Sequence, residues 1–75
     1  MLFRSGTAAS VRLVIVDAAG RRIRGLIEGE TPAGLHTAAW DGLDDARRAA
    51  PAGVYFAVLD GLESRDVTRL VRLSR

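Results

Sequence analysis

Between Ser10 and Asp17 the run SVRLVIVD sets Val11, Leu13 and Ile15 on one side of an extended chain and Arg12, Val14 and Val16 on the other. This period-two pattern of β-branched residues predicts a strand. Apolar groups on both sides place it inside a sheet, or give it an outer face that meets another surface. Asp17-Ala18-Ala19-Gly20 then reads as a tight turn, with the aspartate bonding the following backbone and Gly20 free to take positive φ. Arg21 to Ile27 completes a hairpin, and the faltering alternation at Gly25 predicts a bulge. Glu28 to Gly34, EGETPAG, is dense in turn formers and reads as a loop. Leu35 to Trp40 follows as a strand with His36, Ala38 and Trp40 on one side. Asp41 to Ala50 is stopped by Pro51 and Gly53, which leaves room for at most one helical turn in a structured loop. Val54 to Asp60 is the strongest strand, with Tyr55 and Phe56 on opposite faces. Gly61 to Glu63 turns the chain into a last strand, Ser64 to Leu73, predicted to form a hairpin with it. A short first strand at Leu2 to Ser5 brings the number to about six.

Short strands at fairly regular intervals, without a long 3.6-residue period, predict an all-β chain, a small antiparallel β-sandwich rather than an α/β fold. The 75 residues allow one core and one domain, residues 1–75. A domain of this size buries only ~60% of the surface its open chain exposes, so its stability margin is thin. Cysteine is absent, which removes disulfides, thiol nucleophiles and soft metal ligands together.

Charge narrows the partners. The formal net charge is +2, and all eleven basic residues are arginines scattered among nine acids. A nucleic-acid binder would cluster them on one face with aromatics between, so nucleic acid is not an expected partner. No apolar stretch approaches the ~20 residues that span a bilayer, and Met1 to Ser10 lacks the apolar core of a secretion signal. Export would need a signal supplied upstream.

Candidate chemistry is sparse. Asp41, Asp44 and Asp45 put three carboxylates close together, a density suited to Ca²⁺ if backbone carbonyls joined them. Their spacing differs from that of an EF-hand, and the reading preferred here is that they cap turns and accept from backbone amides. His36, the sole histidine, has Trp40 rather than a nucleophile or second ligand as its expected neighbour, which favours packing over base catalysis. No serine sits in a nucleophile elbow, and the glycines mark turns rather than a phosphate loop. The expectation is a non-enzyme with no metal and no cofactor. Trp40, Tyr55 and Phe56 would form a sugar platform only if two were exposed together, and burial is the commoner fate of aromatics.

The order of VRLVIVDAAGRRIRGLI, PAGLHTAAWDG, DDARRAAPAGVYFAVL and the closing RLVRLSR resembles the immunoglobulin-like domain of the flagellar hook-capping protein family and related C-terminal sorting domains of secreted bacterial proteins, including those of type IX secretion. The residues that carry the resemblance are Asp17 and Gly20, the Trp40-Asp41-Gly42 tripeptide, the acidic pair Asp44-Asp45, and Gly53-Val54-Tyr55. It implies an immunoglobulin-like, fibronectin-III-like sandwich. It also implies a non-catalytic accessory or sorting module of an exported protein, placed outside the cytoplasm or on the cell surface and binding secretion or surface machinery or a neighbouring domain. In such sorting modules Arg69, Arg72 and Arg75 would be the basic residues read by the export machine; the residues by themselves favour a solvated edge strand kept soluble by its charge. The alternatives are a hook-assembly scaffold domain and a carbohydrate or adhesion module. Two departures stand out: similar loops place a glycine where this chain has Arg47, which implies a reshaped or strained turn, and the first strand is short. An edge left incompletely covered would invite strand addition by a partner or a second copy.

Overall fold

The computed structural model describes residues 2–5, 9–31, 34–61 and 65–73, without the side chains of residues 2–5, 9 and 36. The strands run β1 Leu2–Ser5, β2 Ala9–Asp17, β3 Arg22–Thr31, β4 Gly34–Thr37, β5 Gly53–Asp60 and β6 Arg65–Arg72. No helix occurs among the described residues, so none is long and apolar enough to cross a membrane. The all-β expectation therefore holds. Four strands form one antiparallel sheet in the order β3-β2-β5-β6, and β1 pairs with β4 in a separate two-stranded ladder.

β2 and β5 lie at the centre of the larger sheet, which explains why β2 is apolar on both sides. Val11, Leu13 and Ile15 of β2 and Tyr55, Ala57 and Leu59 of β5 share one face and form the core with Ala50, while Ile23, Leu26, Ile27, Ala38, Trp40 and Leu70 close around them. Leu13 and Ile15 are wholly buried. On the other face Val14 and Val58 are also buried, Val16 and Phe56 are half-buried, and Val54, Val67 and Val71 are exposed. Tyr55 and Phe56 thus face opposite ways, as the alternation predicts.

The β2–β3 hairpin carries two irregularities. Leu13 pairs with Ile27 and Val14 with Gly25, and Ile15 pairs with Arg24 and Val16 with Arg22. The skipped residues are Leu26 and Ile23, and both turn into the core, a common use of a bulge. The bulge expected at Gly25 is therefore found beside it. Two strand limits differ from the sequence reading by three residues or more. Residues 28–31, read as loop, continue β3 because Ala9 to Arg12 offer partners out to Thr31, and pairing overrides poor strand propensity. β4 ends at Thr37 instead of reaching Trp40, so Ala38 and Trp40 leave the ladder and pack against the core. The short first strand is present and pairs Leu2 to Ser5 with Thr37 to Gly34.

Candidate functional site

The residues singled out by the sequence gather in the segment from Trp40 to Tyr55 and in one turn at the far end of the β2–β3 hairpin. Gly42 is buried, at φ 82, which an L side chain adopts at a cost. A β-carbon there would also overlap the guanidinium of Arg72. Around it the loop closes on itself. The Trp40 Nε1 donates to the Leu43 carbonyl at 2.9 Å, the Leu43 amide to Asp41 Oδ1 at 3.0 Å, and the Ala50 amide to the Gly42 carbonyl at 2.8 Å. Arg72, at the end of β6, donates from Nε to the Ala50 carbonyl at 2.8 Å and so clasps the loop to the sheet.

Tyr55 anchors the other end. Its hydroxyl donates to the Pro51 carbonyl at 2.6 Å, and its ring meets Trp40 edge-on with centroids 5.0 Å apart. The indole is half-buried and the phenol ring buried, so the two do not form the exposed platform that a sugar would need.

Asp44 to Arg48 is a turn with a twin. In Asp17 to Arg21 the aspartate amide donates to the Arg21 carbonyl at 3.0 Å, the Gly20 amide to the Asp17 carbonyl at 2.9 Å, and Asp17 Oδ1 accepts from the amides of Ala19 and Arg21, both at 2.9 Å. In Asp44 to Arg48 the Asp44 amide donates to the Arg48 carbonyl at 2.8 Å, the Arg47 amide to the Asp44 carbonyl at 2.9 Å, and Asp44 Oδ1 accepts from Ala46 and Arg48, both at 2.9 Å. The fourth residue is left-handed in both, Gly20 at φ 85 and Arg47 at φ 64. Arg47 is the one non-glycine at positive φ among the described residues. The strain expected at this position is present.

Asp45 works differently. Its amide donates to the Ile23 carbonyl at 2.8 Å while its Oδ1 accepts from the Gly25 amide at 3.0 Å, so one residue closes the free edge of β3 at Ile23 and Gly25. Its Oδ2 accepts from Arg22 Nε at 2.9 Å, and Arg22 also bonds Glu28. Asp41, Asp44 and Asp45, whose density alone would suit Ca²⁺, are thus engaged by backbone amides and arginines. No group suited to a metal ion occurs among the described residues. The same bonds tune their acidity. The Arg21 amide foremost holds Asp17 below its ordinary 3.8, the Arg48 amide does so for Asp44, and the Gly25 amide and then Arg22 for Asp45, with burial opposing each.

Arg69 is exposed, Arg72 is half-buried in its clasp, and Arg75 lies outside the described residues, as does the side chain of His36. Arg72 is the residue whose structural role was not legible, because its partner is a backbone carbonyl 22 positions away. Beside it a groove of about 510 Å³ opens between the sheet and the loop, lined by Ile15, Leu26, Trp40, Ala57, Leu70 and Arg72 among others.

The order of these features, with the tripeptide Trp40-Asp41-Gly42 leading through an aspartate turn to Gly53 and Tyr55, matches a family model described as the FlgD Ig-like domain over residues 3–62. The chain belongs to the FlgD Ig-like domain family. The match takes in β1 to β5 and stops before β6, so Arg69, Arg72 and Arg75 fall outside it. No curated protein and no solved structure shows a significant match to the chain.

Proposed function

We propose that the chain is an immunoglobulin-like β-sandwich that acts as a non-catalytic scaffold module in flagellar hook assembly, by contact with other protein subunits. The family match over residues 3–62 carries this reading. Two features of the fold support the sandwich. The β1–β4 ladder delivers the chain to Ala38 and Trp40, which cover the core face of the larger sheet. The Tyr55 hydroxyl bonds the backbone four residues upstream, the arrangement of the tyrosine corner in immunoglobulin-like domains.

Trp40, Asp41, Asp44 and Asp45 of the Trp40–Pro51 loop direct their polar atoms to holding the loop, which suits a module that presents a shaped surface rather than reacting groups. As part of a larger exported protein it would work outside the cytoplasm. The hook-scaffold reading is placed ahead of a sorting role because the match ends before the three arginines that role would use, and Arg72 already serves the fold.

Binding of the purified chain to purified hook-type subunits from the same organism, measured by interferometry, tests the proposal. Saturable binding by the folded chain is the expected result. Absence of binding up to about millimolar subunit, where even weak contacts register, would overturn it.

A further inference from the structure

Of the two edges of the four-stranded sheet, β3 is capped by Asp45 at Ile23 and Gly25, whereas β6 has no backbone partner on its outer side among the described residues. An eight-residue strand with free amides and carbonyls is a template for a further strand. β6 also presents Val67 at 56% and Val71 at 57% exposure on the face opposite the core. On the core face the groove at Leu70 and Arg72 opens beside the same edge.

The geometry points to a second copy of this chain as the occupant, with β6 pairing antiparallel to β6 of its twin about a two-fold axis at Arg69. Side chains keep their faces across such a pairing only if the paired residue numbers sum to an even value. With the axis at Arg69, Val67 faces Val71 of the twin on the outer face. On the core face Asp66 faces Arg72, and Thr68 faces Leu70. Each of these pairs occurs twice, and opposite charges or β-branched residues facing one another stabilise a ladder. Asp66 has no ion pair among the described residues, and Arg72 keeps donors beyond the Nε given to Ala50. Shifting the axis to Thr68 sets Asp66 against Leu70, and shifting it to Leu70 sets Arg72 against Thr68, so both neighbouring registers lose the ion pairs. Arg69 facing itself is unfavourable, and Thr68 against Leu70 and Arg65 against Leu73 contribute little.

The inference stands on the edge of β6 and is independent of the hook-assembly reading.

Sedimentation velocity of the 75-residue chain from about 10 µM to about 1 mM tests it, a range that spans weak homodimers. The expected result is a monomer–dimer equilibrium. Asp66→Arg, which opposes two arginines, is expected to weaken it at least about tenfold. Val67→Lys with Val71→Lys, on exposed positions, is expected to abolish it while Trp40 fluorescence stays native. Arg69→Thr removes the like-charge pair and is expected to tighten the dimer several-fold, a gain that misfolding cannot mimic. A chain monomeric at about 1 mM, or a dimer indifferent to both Asp66→Arg and Arg69→Thr, would overturn the proposal.

Discussion

Gly20 and Arg47 occupy the same place in two copies of one turn, and they differ in what that place costs them. A left-handed L residue costs roughly 1 to 2 kcal/mol, part of which glycine returns through the freedom of the open chain. Arg47→Gly is therefore expected to stabilise the fold by about 0.5 to 1 kcal/mol, read from the urea midpoint at unchanged slope. Glycine is not equally replaceable at its own positions. Gly20→Ala meets open space and adds only the strain of its φ, about 1 to 2 kcal/mol, whereas Gly42→Ala must also displace Arg72 and is expected to cost more than that. Both losses are measurable in the same titration. The strain at Arg47 was legible through the resemblance, because similar loops place a glycine there. The clasp of Arg72 on the loop was not, since nothing local ties that arginine to the Ala50 carbonyl 22 positions earlier.

Strand identity followed from alternation, and strand length did not. β3 gains residues 28–31 because β2 supplies partners, and β4 loses Ala38 and Trp40 because the indole reaches Leu43 only from outside a ladder. Such trade-offs depend on neighbours that no short window contains. The edge of β3 illustrates this best, since its closure by Asp45 comes from a loop twenty positions further on. Asp45→Ala is expected to speed hydrogen exchange at the Gly25 amide, while Asp45→Asn, which keeps the accepting oxygen and loses the pair with Arg22, is expected to protect that amide nearly as well. Equal exchange in wild type and Asp45→Ala would deny Asp45 this role.

For the whole molecule the three aspartates set a direction with pH. Asp17, Asp44 and Asp45 hold a proton less tightly in the fold than in the open chain, so their ionisation favours the fold above the ordinary 3.8. That contribution fades as pH falls through 3.8 and is gone below the lowered folded values, and thermal unfolding at pH 5, 4 and 3 is expected to show a falling midpoint. Replacing all three with Asn should flatten the decline. The family and the all-β class were readable from the ordered motifs, since these are local turns. The charge of the last strand already read as that of an edge, and the sheet order adds that β5 and β2 lie inside it. The clasp between β6 and the Trp40 loop, finally, has a bearing on time rather than balance. Arg72 can reach Ala50 only after β6 has docked on β5, so the expectation is that this bond forms once the folding barrier has been crossed. Arg72→Met is expected to hasten unfolding several-fold in stopped-flow traces and to leave refolding almost unchanged, so that this single side chain governs how long the native state lasts more than how quickly it is reached.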